Sequence, residues 1–287
     1  MDLSILSEKE KILDLIVEKL ARTPVDYAEK MKAYHGEGED DWRAAGVLVL
    51  LFYRKAGTAQ AGHQGEFVFQ LIKRSVSVPQ PGDLSCPGGM LHLFVDSLLS
   101  PLVSTGLLPI MRGKSLAYAR QRPSDTFRAL SLFFTNALRE SWEEIRLNPL
   151  NVRFLGPLPS TDLIVFRRSI FPLVGFVKDE WVCRPNWEVE KVVEIPLRNF
   201  FLAENYGTVA VETFIPMRGP IERIRDFPCL IHPDRTGVSE ILWGATMNIL
   251  LNFIRTVFDF EPPLYGSDRV IKKSLFENYI TGDTRRA

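Results

Sequence analysis

The chain has little cysteine, no surplus of either charge and no long apolar run, and each shortage removes a class of protein. Its three cysteines, Cys86, Cys183 and Cys229, are odd in number and far apart. No C-x-x-C pair occurs, which argues against zinc and disulfide frameworks and for buried thiols in a reducing compartment. Lys plus Arg total 35, and so do Asp plus Glu. Without a basic excess to displace counterions from phosphates, no nucleic-acid partner is expected. No stretch reaches the roughly 20 uninterrupted apolar residues that a membrane span requires. The nearest, residues 90–111, is broken by His92, Asp96, Pro101 and Pro109. The opening MDLSILSEKEKILDL has no basic leader and its apolar run is interrupted by charge, unlike a signal peptide. A cytoplasmic protein with no membrane partner is expected. The four histidines, His35, His63, His92 and His232, follow no metal-ligand spacing.

What remains is ordinary globular material, 46% hydrophobic and 24% charged over 287 residues, enough for one large domain or a core with appendages. Ile5, Leu6, Ile12, Leu13, Leu15, Ile16 and Leu20 recur at helical spacing and predict a helix over 4–32, with Ser7 and Glu10 as a capping box. Residues 1–40 are read as a helical appendage, 41–260 as the main domain and 261–287 as a polar tail. GVLVLLFYRK (46–55) and EFVFQLIKRS (66–75) read as a strand hairpin across a Gly-rich turn at 57–65, followed by the loop VPQPGDLSCPGG. A helix is predicted over 124–147, with Ser124 and Asp125 at its start and Asn148-Pro149 at its end. Short strands follow at NVRFLGPL, SIFPLVGFV, VVEIPL and TVAVETFIP, then a helix over SEILWGATMNILLNFIRTVF. Hairpin, loop, helix, strands and helix without a regular βαβ repeat describe an α+β or α/β sandwich.

The chemistry gathers on one helix. In ALRESWEEIRLN, Leu138, Trp142 and Ile145 share an apolar face, whereas Glu140, Glu143 and Glu144 share the opposite one. Three carboxylates on one face repel each other. A hard divalent cation such as Mg²⁺, held by a few carboxylates and substrate phosphates, gives them a purpose. The preceding Pro87-Gly88-Gly89 allows close backbone approaches, a carbonyl for the metal and loop amides facing phosphate oxygens. A solvated acidic face is the plain alternative.

PGG and RESWEE together resemble the two ends of the Nudix box, G-x5-E-x7-R-E-U-x-E-E-x-G-U, where U is aliphatic. Gly89, Arg139, Glu140, Glu143, Glu144 and Leu147 match; Ser141 replaces an aliphatic residue and Arg146 a glycine. Arg139 lies fifty residues after Gly89, where the box would place it about 14 on, so about 36 residues appear inserted. The first glutamate of the box has no direct counterpart, and Asp96 is the nearest acid. Outside the box, Lys73 to Ser75, Gly82 and the segments SIFPLVGFV, EVEKVVEIPL, FPCLI and ILWGATMNIL resemble, in order, the coenzyme A pyrophosphatase branch of the family. The branch's loop arginine is missing between Ser75 and Gly82, and Cys86 stands where a Phe is usual.

The resemblance implies a Nudix-type α/β/α sandwich with a mixed sheet and the N-terminal helical appendage. It implies a metal-dependent pyrophosphohydrolase acting on a nucleoside-diphosphate derivative, with coenzyme A or its thioesters as leading substrate. ADP-ribose, a nucleotide sugar or a dinucleotide are alternatives, as is a catalytically weak binding or regulatory module. Glu140, Glu143 and Glu144, with a carbonyl of Gly88 or Gly89, would hold Mg²⁺ or Mn²⁺, and Arg139 would orient a glutamate. Arg74, Gly82 and Gly88 would meet the substrate. Glu190 and Glu194 are candidate general bases, and Trp181 and Trp187 candidate base-stacking residues. The segment about 90–125 begins apolar and helical at LHLFVDSLLSPLV and ends basic; Arg120 and Arg122 are read either as lid residues on substrate phosphates or as a solvated face. Family members are often dimers, so a homodimer is an expected assembly.

Overall fold

The N-terminal periodicity folds as two helices rather than one, α1 (Lys9–Arg22) and α2 (Tyr27–Tyr34), because Pro24 interrupts the predicted span. The capping box does not form: the Ser7 hydroxyl donates to the Ser4 carbonyl within a preceding 3₁₀ turn. The computed structural model describes residues 3–34, 42–55, 65–213, 222–233, 237–263, 269–275 and 279; most of the predicted Gly-rich turn, and residues 214–216 of the last predicted strand, lie outside them.

The central strand is β1 (Arg43–Arg54), where Val, Leu and Phe leave both faces apolar. It pairs along its length in parallel with β7 (Arg168–Val177). Its other edge is divided. Leu50–Arg54 run antiparallel to β2 (Glu66–Arg74), the expected hairpin, whereas Ala45, Gly46 and Val47 pair with β4 (Gly88–Met90). The glycines are therefore fixed as part of the sheet. Between β2 and β4 lies β3 (Leu84–Ser85), and after β4 come α3 (Leu93–Ser104), α4 (Gly113–Arg120) and α5 (Ser124–Ile145). β5 (Val152–Pro157) and β6 (Thr161–Leu163) pair with β7, and β8 (Val189–Pro196) with β2.

Two cores flank this mixed sheet. Leu48, Leu50 and Phe52 face α5, meeting Leu130, Phe133, Phe134, Ala137 and Leu138. Phe133 stacks on Phe171 with ring centroids 3.8 Å apart. Val47, Val49 and Leu51 belong to the opposite core, which also contains Ile12, Leu13, Ile16 and Leu20 of α1 and Leu250, Phe253 and Ile254 of α6 (Gly244–Phe258). The N-terminal helix thus shares the main core. Burying each such side chain contributes about 1.5–3 kcal/mol relative to exposure, as an upper bound.

The second sheet contains β9 (Tyr206–Thr213), β10 (Glu222–Pro233), β11 (Ser239–Trp243) and β12 (Val270–Leu275), in the order β11-β10-β9-β12. The residues expected to begin the last long helix form β11 instead, since Ser239 to Trp243 pair with Pro233 to Cys229 and α6 begins at Gly244. Part of the predicted tail is also structural: β12 runs parallel to β9. The arrangement is α+β with mixed sheets.

Candidate active site

Gly88 and Gly89 lie against the acidic turn of α5. The Gly88 N–H donates to Glu144 Oε2 at 2.9 Å. A Cβ on Gly88, whose φ is +143°, would fall 2.3 Å from the Gly46 carbonyl oxygen; one on Gly89 would fall 2.4 Å from Glu140 Oε2. Gly88 meets backbone and cannot accommodate a side chain, whereas one on Gly89 would push the Glu140 carboxylate aside. The two halves of the motif, fifty residues apart in sequence, are in contact.

The glutamates occupy different environments. Glu144 is buried, and burial pushes its carboxyl up to about 8; the Gly88 bond opposes this, the Glu140 charge adds to it, and Arg74 and Glu188 act in opposite directions. Glu140 is raised by burial and by Glu143 and Asp96, against the pull of Arg139. Glu143 is half exposed and pairs with Arg139 at 3.1 Å. The apolar face is not as expected: Leu138 and Ile145 are buried, but Trp142 is 44% exposed and lies against the Arg146 guanidinium. Arg146, where the box has glycine, is the left-handed C-cap of α5, with φ 57°.

Arg139 joins the site to α3. Its Nε and a terminal nitrogen donate to the two carboxylate oxygens of Asp96 at 2.8 and 3.1 Å, and another nitrogen lies 2.8 Å from Glu140. Asp96 is fully buried and also accepts the His92 N–H. Hydrogen bonding to Asp96 and the surrounding carboxylates hold the guanidinium firmly in its charged form. Asn136, which the sequence reading passed over, accepts from the Gly46 N–H at 2.8 Å and donates to the Met90 carbonyl at 2.9 Å, fastening α5 to β1 and β4.

Other expected residues disperse. Arg74 donates to the Pro79 carbonyl and lines, with Gly88 and Gly89, a cavity of 430 Å³ that also contains Trp243, Phe227, Phe166 and Arg168. Gly82 turns the preceding loop at φ +74° and lines a neighbouring cavity. Glu190 pairs with Lys73, and Glu194 with Arg54 and Gln70. Within that segment Glu188 is the acid whose charge reaches Glu144, aided by a register shift where β8 meets Arg74. Arg120 donates to the Ser104 and Thr105 carbonyls and Arg122 to those of Leu20 and Ala21. Both arginines cap helix C-termini, so the structure does not bring them to the glycine pair. Trp181 lines a different cavity and Trp187 is exposed, whereas Trp243, read as part of the last helix, lines the cavity beside the glycines. Among the described residues no three His, Cys, Asp or Glu side chains are grouped so as to hold a metal ion by themselves, and no helix is long and apolar enough to cross a membrane.

No family model matches the chain. A stretch of 77 residues, 26% of the chain, is 36% identical to the uncharacterized Nudix hydrolase NudL of Pectobacterium atrosepticum; the chain spans 40% of the length of that relative. Solved structures with similarity include a Nudix hydrolase of Alicyclobacillus acidocaldarius (13% identity, 56% of this chain and 82% of the other, TM-score 0.36). Others are an Ap4A hydrolase of C. elegans (14%, 55% and 82%, TM-score 0.32) and the Nudix domain of Shewanella oneidensis NrtR, solved with ADP-ribose (14%, 61% and 85%, TM-score 0.32).

Proposed function

We propose that this chain is a Nudix hydrolase, a metal-dependent pyrophosphohydrolase that cleaves the diphosphate linkage of a nucleoside-diphosphate derivative, with coenzyme A or a CoA thioester as leading substrate. One observation carries the reading: Gly88 and Gly89 are seated on Glu144 and Glu140 across the fifty intervening residues. The local likeness to NudL supports it.

The residues fit a hard divalent cation. Among the described residues no cation is bonded to the buried carboxylate of Glu144, which stands beside a second carboxylate whose charge disfavours its own. A closed ligand cage is not needed, because Mg²⁺ keeps several waters and completes its shell with phosphate oxygens. Glu140 and Glu144 would hold Mg²⁺ or Mn²⁺ with a Gly88 or Gly89 carbonyl, and Glu143 would join by leaving Arg139. When bound, the metal supplies charge neutralisation of the diphosphate and a more acidic water. Arg139, anchored on Asp96, holds Glu140 in place. Arg74 offers a cation to the diphosphate from the cavity side. Glu188 is better placed than Glu190 or Glu194 to take a proton near Glu144.

A substrate panel tests the reading: coenzyme A, ADP-ribose, NADH, diadenosine polyphosphates and nucleotide sugars, each with Mg²⁺ or Mn²⁺ and product analysis. Cleavage of coenzyme A to a nucleotide product is expected; cleavage of another member alone would reassign the substrate. No turnover by folded protein would favour a binding or regulatory module, a reading to which the outward turn of Glu143 lends weight. A cytoplasmic location and a homodimer belong to the same proposal; a monomer mass by light scattering would contradict the dimer.

A further inference from the structure

The cavity beside the glycine pair holds polar groups that the protein itself does not satisfy. Among the described residues, buried side-chain polar atoms without a partner include Ser85 Oγ and Arg168 Nε, and both residues line this cavity. Leaving such groups unpaired is costly, so their placement together at one hollow calls for a ligand.

The charge distribution says which ligand. Arg168 begins β7, directly opposite Arg43 in the parallel pairing. Burial works against its charge, and so do the neighbouring guanidinium groups of Arg74 and Arg43. Among the described residues the one acid lining the cavity is Asp83, already engaged by Lys273, Tyr279 and the Trp243 indole N–H. Arg74 stands near enough to Glu144 to act on its carboxylate. Cations therefore run from the acidic turn of α5 into the cavity, whose remaining wall is apolar and aromatic at Phe166, Phe227 and Trp243.

We propose that Ser85, Arg168 and Arg74 form a phosphate-binding subsite in this cavity, gripping a phosphate of the substrate while the aromatic wall receives an uncharged moiety attached to it. Turned toward the cavity, the Arg168 guanidinium and the Ser85 hydroxyl would each donate a hydrogen bond to phosphate oxygens, and charge-assisted donation from arginine is the stronger of the two. The subsite rests on the reading of the adjoining glycines as the seat of the diphosphate, and it adds a specificity element contributed by β7 and β3.

ADP binding measured by titration calorimetry with Mg²⁺ tests it without requiring turnover. Arg168→Gln and Ser85→Ala should each weaken ADP binding, Arg168→Gln by about 10- to 100-fold, while the melting temperature of Arg168→Gln stays level or rises. Arg168→Lys should restore part of the affinity. ADP binding to both variants as tightly as to the wild type, or no ADP binding by the wild type at millimolar concentration, would overturn the subsite. Turnover with an unchanged KM in Arg168→Gln would overturn the subsite and leave the hydrolase reading standing. ADP binding that depends on Arg168, in a protein that cleaves nothing on the panel, would overturn the hydrolase reading and support the subsite.

Discussion

Asp96 and Arg139, 43 residues apart in sequence, form a two-pronged ion pair in which Asp96 is fully buried. The pair ties α3 to α5 and fixes the guanidinium that holds Glu140 and Glu143. Removing Asp96 loses its charge-assisted hydrogen bonds while Arg139 keeps Glu140 and Glu143 as partners, at a cost of about 1.5–3 kcal/mol. Asp96→Ala is expected to lose stability on that scale in urea denaturation and to lower kcat. An unchanged unfolding midpoint would show that the pair holds nothing in place.

Arg146 sits in the left-handed region at the end of α5, a conformation that favours glycine. Its guanidinium over Trp142 recovers part of the cost. Arg146→Gly should gain up to about 1 kcal/mol of stability; a lower melting temperature would mean that the Trp142 contact dominates.

Arg120 and Arg122 spend their donors on helix-end carbonyls. Arg122→Ala should cost about 1–2 kcal/mol through the exposed end of α1, with little change in KM. A severalfold rise in KM with unaltered stability would support the lid reading.

The fold was legible wherever one element decides its own structure. β1, β2 and α5 follow from continuous apolar runs or sustained periodicity, and Pro87-Gly88-Gly89 with the α5 glutamates marked the candidate site. The missed features depend on partners distant in sequence. Trp243 reads as the interior of a helix until β10 pairs with β11. Asn136 is an unremarkable polar residue until Gly46 and Met90 arrive on either side of it. Glu188 is one of three acids in its segment, and only the folded chain brings its charge near Glu144. Ser85 and Arg168 belong to no motif; their lack of partners emerges only in three dimensions.

Glu144 gives a pH signature. Its carboxyl is raised from 4.5 to about 8 in the folded protein, so between those values the folded state keeps a proton that the unfolded state has released. This group's contribution is fully present below about pH 4.5 and is lost as pH rises through about 8. Metal-free protein should therefore show a stability decline over that window that Glu144→Gln abolishes. Mn²⁺ affinity should increase with pH over the same window as the proton ceases to compete. A pH-independent affinity would place the cation elsewhere.

The central claim, that the glycine pair and the α5 glutamates form one metal-dependent hydrolytic site, is tested most directly by comparing the wild type with Glu144→Gln on whichever panel substrate is cleaved, at saturating Mg²⁺. At least about a hundredfold loss of kcat is expected, with the fold intact by circular dichroism. Full activity in Glu144→Gln would contradict it.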